Sequence, residues 1–178
     1  IVYNRDIDSS KYEALKDLFR PGHADFTLYR KYGLRDHRGG GRSSGRETAG
    51  RVAAGAVAGK ILGERGVHLY AHALEIGGVR AGRIDHGVIE KNLVRCADED
   101  AAARMVAAIE DARDNADSVG GVVQLDILGL PPGLGDPVFA KLDARLTFGI
   151  MTLGAVKGVE IGAGFAAARL KGSEANDQ

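Results

Sequence analysis

The sequence has a single cysteine, Cys96, no tryptophan and no net charge. A lone cysteine excludes an intramolecular disulfide, and neither a CxxC pair nor a Cys/His zinc spacing occurs, so no metal-ligating set is expected. His68 and His72 lie four apart in a stretch that reads as a strand, where helical one-face ligation does not apply, and His86 has no partner nearby in sequence. A reducing compartment, the cytoplasm, follows from the cysteine usage. No apolar run reaches the ~18 residues that a spanning helix needs, and no basic-then-apolar segment opens the chain, so membrane insertion and export are not expected. Lys and Arg number 24 against 24 Asp and Glu. That balance argues against a nucleic-acid partner, since phosphate-backbone affinity needs a clear cationic excess.

Glycine, by contrast, is abundant. The 26 glycines are about twice what the usual frequency of about 7% would give, so the chain either turns often or brings its backbone close to something else. Charge is unevenly placed. Residues 1–65 hold 13 Lys and Arg against 8 Asp and Glu, and residues 66–178 hold 11 against 16, so +5 in the first third is offset by −5 in the rest. A local cationic excess in a neutral chain suits a focused anionic ligand.

The elements alternate in short pieces, which we read as one domain over residues 1–178. Residues Tyr12 to Phe19 carry a helical pattern that stops before Pro21, and Ala24 to Tyr32 reads as a second short helix ended by Gly33. Residues 35–46 are polar, glycine-rich loop. A helix from Glu47 to Glu64 is dominated by alanine and glycine, which suggests close packing in a central layer, and Gly66 ends it. Val67 to Ile76 is β-like, Gly77-Gly78 is a turn, and a further strand begins near Val79. A helix with an acidic start runs from Glu99 to about Ala112, and a strand from Val119 to Leu128. After the Gly129 to Gly133 breaker, an amphipathic helix over Val138 to Ile150 and a strand over Val156 to Ile161 are expected. The chain opens on Ile1 in what reads as a strand already under way, and a native start upstream is expected.

Two clusters carry chemistry. In GGGRSSGRET, Gly39 to Thr48, three glycines let backbone approach a ligand, Ser43, Ser44 and Thr48 offer hydroxyls, and the free N–H groups of the following helical turn attract anions. Arg42 and Arg46 add guanidinium forks suited to phosphate and carboxylate. The order of a Walker A loop is missing, as is a GxGxxG after a strand. From these residues alone the stretch is either an anion site or a structural loop and cap. In RPGHAD, Arg20 to Asp25, a histidine in a Pro-Gly turn between an arginine and an aspartate is suited to acid catalysis, or is an ordinary surface histidine. Asp25 either orients His23 or caps the turn.

Arg20 to Leu62, RPGHADFTLYRKYGLRDHRGGGRSSGRETAGRVAAGAVAGKIL, resembles the signature region of chorismate synthases almost residue for residue. The pattern continues in EIGGV (Glu75 to Val79), GLPPGLGDPVFAKLDARL (Gly129 to Leu146) and AVKGVEIGAGFAAARLKGSEAND (Ala155 to Asp177), so the resemblance spans nearly the whole chain. It implies a lyase of the shikimate pathway of aromatic amino acid biosynthesis. That enzyme eliminates phosphate and a proton from 5-enolpyruvylshikimate 3-phosphate to give chorismate, with reduced FMN required and NADP associated with supplying it. The family implies an α+β fold, a β-α-β sandwich with central helices flanked by antiparallel sheets, and a homotetramer. His23 matches the histidine beside the flavin, Arg20 and Arg46 match substrate-binding arginines, and Arg42, Ser43, Ser44 and Ala155 match flavin-contacting positions. A substrate with one phosphate and two carboxylates, beside a flavin phosphate, requires several arginines in one cleft, in agreement with the cationic first third.

The family also has an N-terminal GESHG-like motif with a second catalytic histidine, and C-terminal GGISNG, KPTSS and GRHDPC-like segments that complete the flavin pocket. None occurs in this sequence. An internal portion of the enzyme is therefore expected, with a half-built pocket from which tight FMN binding and turnover are not expected. The alternative reading is a structural or oligomerisation module that retains an unused anion site.

Overall fold

The computed structural model describes Tyr3, Asp8 and residues 10–38 and 45–175. In chain order the elements are a 3-10 helix over Ser10–Leu15, α1 (Asp25–Tyr32), α2 (Glu47–Gly63), β1 (His68–Ile76), β2 (Val79–Arg80), a 3-10 helix over His86–Lys91, α3 (Glu99–Asp114), β3 (Gly121–Leu128), β4 (Gly135–Asp136), β5 (Ala140–Lys141), α4 (Leu142–Met151) and a 3-10 helix over Gly164–Arg169. They fall into two compact units, one of Ala56–Pro132 and one of Ile1–Gly55 with Gly133–Gln178. Helices and antiparallel sheets are mixed, as the α+β expectation has it.

The core sits in the unit Ala56–Pro132. β1 is the centre of a β2-β1-β3 sheet and pairs antiparallel on both sides. Gly77 and Gly78 join β1 to β2 with φ of 59° and 78°. Two consecutive left-handed residues make the tight turn whose twist matches the strands, and glycine takes it without strain. α3 packs on β1 and β2, burying Ala101, Ala102 and Met105 against Ala73 and Cys96, with Ile76, Val79, Ala81 and Val94 at the margin. Asp98 starts α3: its carboxylate accepts from the N–H groups of Asp100 and Ala101 and reaches Gly82 N–H at 2.9 Å. These bonds satisfy donors that a helix start leaves open, and they hold the Asp98 carboxyl below its usual range, the Gly82 bond foremost.

Register decides which side chains share a face. Tyr70 stands opposite Asp126 and His72 opposite Gln124, and directly opposed residues of an antiparallel pair point the same way. Ala71, Ala73, Val123 and Leu125 lie on the other side. One face of β1 and β3 is thus small and apolar and the other carries polar groups.

In the second unit, α1 ends at Gly33 in the left-handed conformation, its N–H bonded to the Tyr29 carbonyl. Phe19 meets the edge of Phe26 with ring centroids 5.5 Å apart, and Tyr29 lies at the same distance. β4 and β5 form a small hairpin ahead of α4.

Several elements depart from the sequence expectations. The helical pattern over Tyr12 to Phe19 is realised as a 3-10 helix over Ser10–Leu15. The helix expected from Val138 starts at Leu142, because Ala140 and Lys141 are taken up by the β4–β5 hairpin. Val156 to Ile161 forms no ladder; alternation makes a stretch competent to pair but does not supply a partner. α2 forms where expected and ends in a left-handed Gly66, with Val67 N–H bonded to Leu62 O and Gly66 N–H to Gly63 O. None of its side chains is buried, Val52 and Val57 being more than 60% exposed. Small residues permit close approach, but they provide little apolar area to drive it.

Candidate functional site

The RPGHAD turn is built around Asp25. Its carboxylate takes a two-pronged contact from Arg20, Nε to Oδ2 at 2.9 Å and Nη2 to Oδ1 at 3.0 Å, and a third bond from Arg35 Nη2 at 3.2 Å. Arg35 also donates to the carbonyls of Lys16 and Leu15 and lies over the Phe19 ring. The Arg20 hydrogen bond, reinforced by the charges of Arg20 and Arg35, holds the Asp25 carboxyl far below the usual carboxylate range, and the same bond raises Arg20. Asp25 therefore does not orient His23; it accepts the backbone N–H of Arg20 at 3.3 Å, as a turn cap would, and anchors two arginine side chains.

His23 is exposed on the same turn, its backbone N–H bonded to Arg20 O. Its Nδ1 lies 3.1 Å from the Pro21 carbonyl. A carbonyl only accepts, so Nδ1 carries the proton in that contact. His37, within the polar stretch 35–46, contacts Glu13 at 3.3 Å.

The segments matched to the flavin fall on two parts of the chain. Arg42, Ser43 and Ser44 lie outside the described residues. Arg46 is exposed at the start of α2, where its carbonyl accepts from Ala49 N–H. Ala155 follows α4 in an exposed turn with φ of 69°, a left-handed conformation uncommon for alanine. A hydrogen bond from Arg51 Nη1 to Thr152 Oγ1, 2.6 Å, ties α2 to this turn. Arg51 is little more than one helical turn beyond Arg46, and Thr152 is three residues before Ala155. The start of α2, where Thr48 N–H is bonded to Gly45 O and Ala49 N–H to Arg46 O, is thus tied to the 152–155 turn.

The unit Ala56–Pro132 holds a group that sequence spacing did not reveal. His86, on its 3-10 helix, places Nε2 2.8 Å from Asp126 Oδ2, and His72 Nε2 lies 3.4 Å from the same oxygen. Gln124 donates to Asp126 Oδ1 at 2.8 Å. The Gln124 bond, followed by that of His86, keeps the Asp126 carboxyl below its ordinary range. His72 and His86 are 14 residues apart and Asp126 is 40 beyond His86, so only the strand register joins them.

Asp25 thus holds Arg20 and Arg35 in ion pairs, and Arg46 stands exposed at the start of α2. A chorismate synthase family profile matches residues 1–178. A chorismate synthase from Desulfatibacillum aliphaticivorans is 55% identical over 177 residues, covering 99% of this chain and 49% of the relative. One from Methanococcoides burtonii is also 55% identical, covering 99% and 50%. A solved chorismate synthase crystal structure superposes with a TM-score of 0.78 at 32% identity, covering 87% of this chain and 51% of that one. The chain belongs to the chorismate synthase family, and it spans about half the length of the curated relatives it matches.

Proposed function

We propose that this chain supplies one half of a chorismate synthase site, in which 5-enolpyruvylshikimate 3-phosphate loses phosphate and a proton in a 1,4-elimination. The observation that supports it most is the RPGHAD turn, which sets an exposed histidine next to an arginine held in place by a carboxylate, within a match that covers the whole chain. Arg20 and Arg46 bind the substrate's anionic groups. With Nε and Nη2 of Arg20 held by Asp25, its remaining N–H groups point to the ligand in a fixed orientation. His23 delivers and recovers a proton at Nε2. Arg42, Ser43, Ser44 and Ala155 would hold FMN, which when bound and reduced would supply transient electron density to the substrate as its C–O bond to phosphate breaks. The assembled enzyme is a cytoplasmic homotetramer whose flavin is reduced with the help of NADP.

The test is a chimera in which this chain replaces the matching half of the Desulfatibacillum aliphaticivorans relative. With reduced FMN and substrate under anaerobic conditions, it is expected to form chorismate, and His23→Ala is expected to lower kcat by about 10²–10⁴-fold. A folded chimera that binds FMN yet makes no chorismate would overturn the reading, and undiminished turnover in His23→Ala would remove His23 from it. A second reading, an assembly module, is favoured by the exposed apolar side chains of α2. It predicts that flavin-fluorescence titration of the chain alone gives no response, and hence none altered by Arg42→Ala.

A further inference from the structure

We infer that His72, His86 and Asp126 form a binding site for one divalent transition-metal ion of the zinc class. The two ring nitrogens and a carboxylate oxygen all lie within 4.8 Å of one another. Two imidazoles and one carboxylate are a donor set that zinc takes, with a water completing four-coordination.

The second observation is one buried ring nitrogen in the cluster that lacks a hydrogen bond. His72 is 1% exposed, and its Nε2 is buried without a hydrogen bond. At 3.4 Å from Asp126 Oδ2 it is close to the carboxylate but does not bond to it. A buried ring nitrogen left so costs free energy that a ligand would recover. The spacing also fits. Two ligands around a tetrahedral ion at about 2.0–2.1 Å sit roughly 3.3 Å apart, which the His72–Asp126 pair already matches. The His86–Asp126 pair, at 2.8 Å, needs to open by about half an ångström from its present hydrogen bond to reach that separation.

The surroundings orient the ligands as outer partners of metal sites do. Gln124 holds the second oxygen of Asp126. The His86 ring stacks flat on Tyr70, centroids 4.2 Å apart and planes within 2°. His72 and Asp126 come from paired strands of the sheet and His86 from the 3-10 helix over it, so the ion pins that helix to the polar face. None of these residues lies in the turn or helix start assigned above to substrate and flavin, and the site stands apart from that reading.

The test uses the purified chain stripped with chelator. Calorimetric titration with Zn²⁺ is expected to show one ion per chain. His86→Ala and Asp126→Asn are each expected to weaken binding by at least about tenfold, while His68→Ala, an exposed histidine on the same strand, leaves it unchanged. No binding at millimolar Zn²⁺ would overturn the proposal, leaving a hydrogen-bonded His86–Asp126 pair beside a buried histidine; so would a loss in His68→Ala equal to that in His86→Ala. The unmodified chain loaded with Co²⁺ decides independently of whether the variants fold. Intense visible bands of a four-coordinate ion support the site, and the weak spectrum of a six-coordinate hydrated ion refutes it.

Discussion

Replacing Asp25 by asparagine removes one negative charge from between two guanidinium groups while keeping the side chain's size. Side-chain exposures are 13% for Asp25, 12% for Arg35 and 30% for Arg20. Fully exposed pairs contribute about 0–1 kcal/mol, and deleting one partner of a fully buried pair costs about 3–5 kcal/mol. This half-shielded triad lies between, so Asp25→Asn is expected to cost about 2 kcal/mol at neutral pH. With a urea dependence of about 2 kcal/mol/M, the midpoint moves down by roughly 1 M. Tyrosine fluorescence is a suitable probe, since Tyr3, Tyr12, Tyr29 and Tyr32 share a unit with Asp25 and Tyr70 alone lies outside it.

The pH dependence separates charge from packing. Folding depresses the Asp25 carboxyl, so its contribution is complete above the unfolded value, near 3.9, and is lost as pH falls from about 5 toward the lower folded value. The gap between the native chain and Asp25→Asn should therefore be constant from pH 7 to about 5 and shrink below. A gap unchanged down to pH 3, or one that widens on acidification, would refute the electrostatic account. A double-mutant cycle with Arg20→Gln should return a coupling that fades over the same range.

Two further substitutions test the unit Ala56–Pro132 by denaturant unfolding. Met105 is fully buried among Ala73, Cys96, Ala101 and Ala102, and Met105→Ala should cost about 2–4 kcal/mol; a cost under about 1 kcal/mol would mean the contact between α3 and the sheet is not the core. Gly129→Ala and Gly78→Ala both place alanine at φ near 80°, but a Cβ on Gly129 clashes with the Gly66 carbonyl oxygen whereas Gly78 faces open space. Gly78→Ala should cost about 1 kcal/mol and Gly129→Ala clearly more, and equal losses would rule out the clash.

Local rules were enough for much of this. α2 and α3, the Gly77-Gly78 turn and the Gly33 and Gly66 stops follow from periodicity, capping and the conformational freedom of glycine, all set within a few residues. The placement of Arg20 and His23 on a turn and of Arg46 at a helix start was likewise legible, because those are contiguous stretches. Where the rules failed, a partner was at stake: Val156 to Ile161 alternates like a strand but pairs with none among the described residues, and Ala140 and Lys141 went to a hairpin before α4 could claim them.

By itself, the sequence determined the family, the run of elements and the arginine-rich, histidine-bearing turn, since those rest on residue identity and short spacing. Only tertiary structure decided that Asp25 binds Arg20 and Arg35 in place of His23, that Arg51 ties α2 to the turn before Ala155, and that His72, His86 and Asp126 converge. Such meetings depend on strand register and on side-chain contacts between residues 5 to 101 positions apart, whose energies are settled when the chain closes on itself and leave no periodic trace along it.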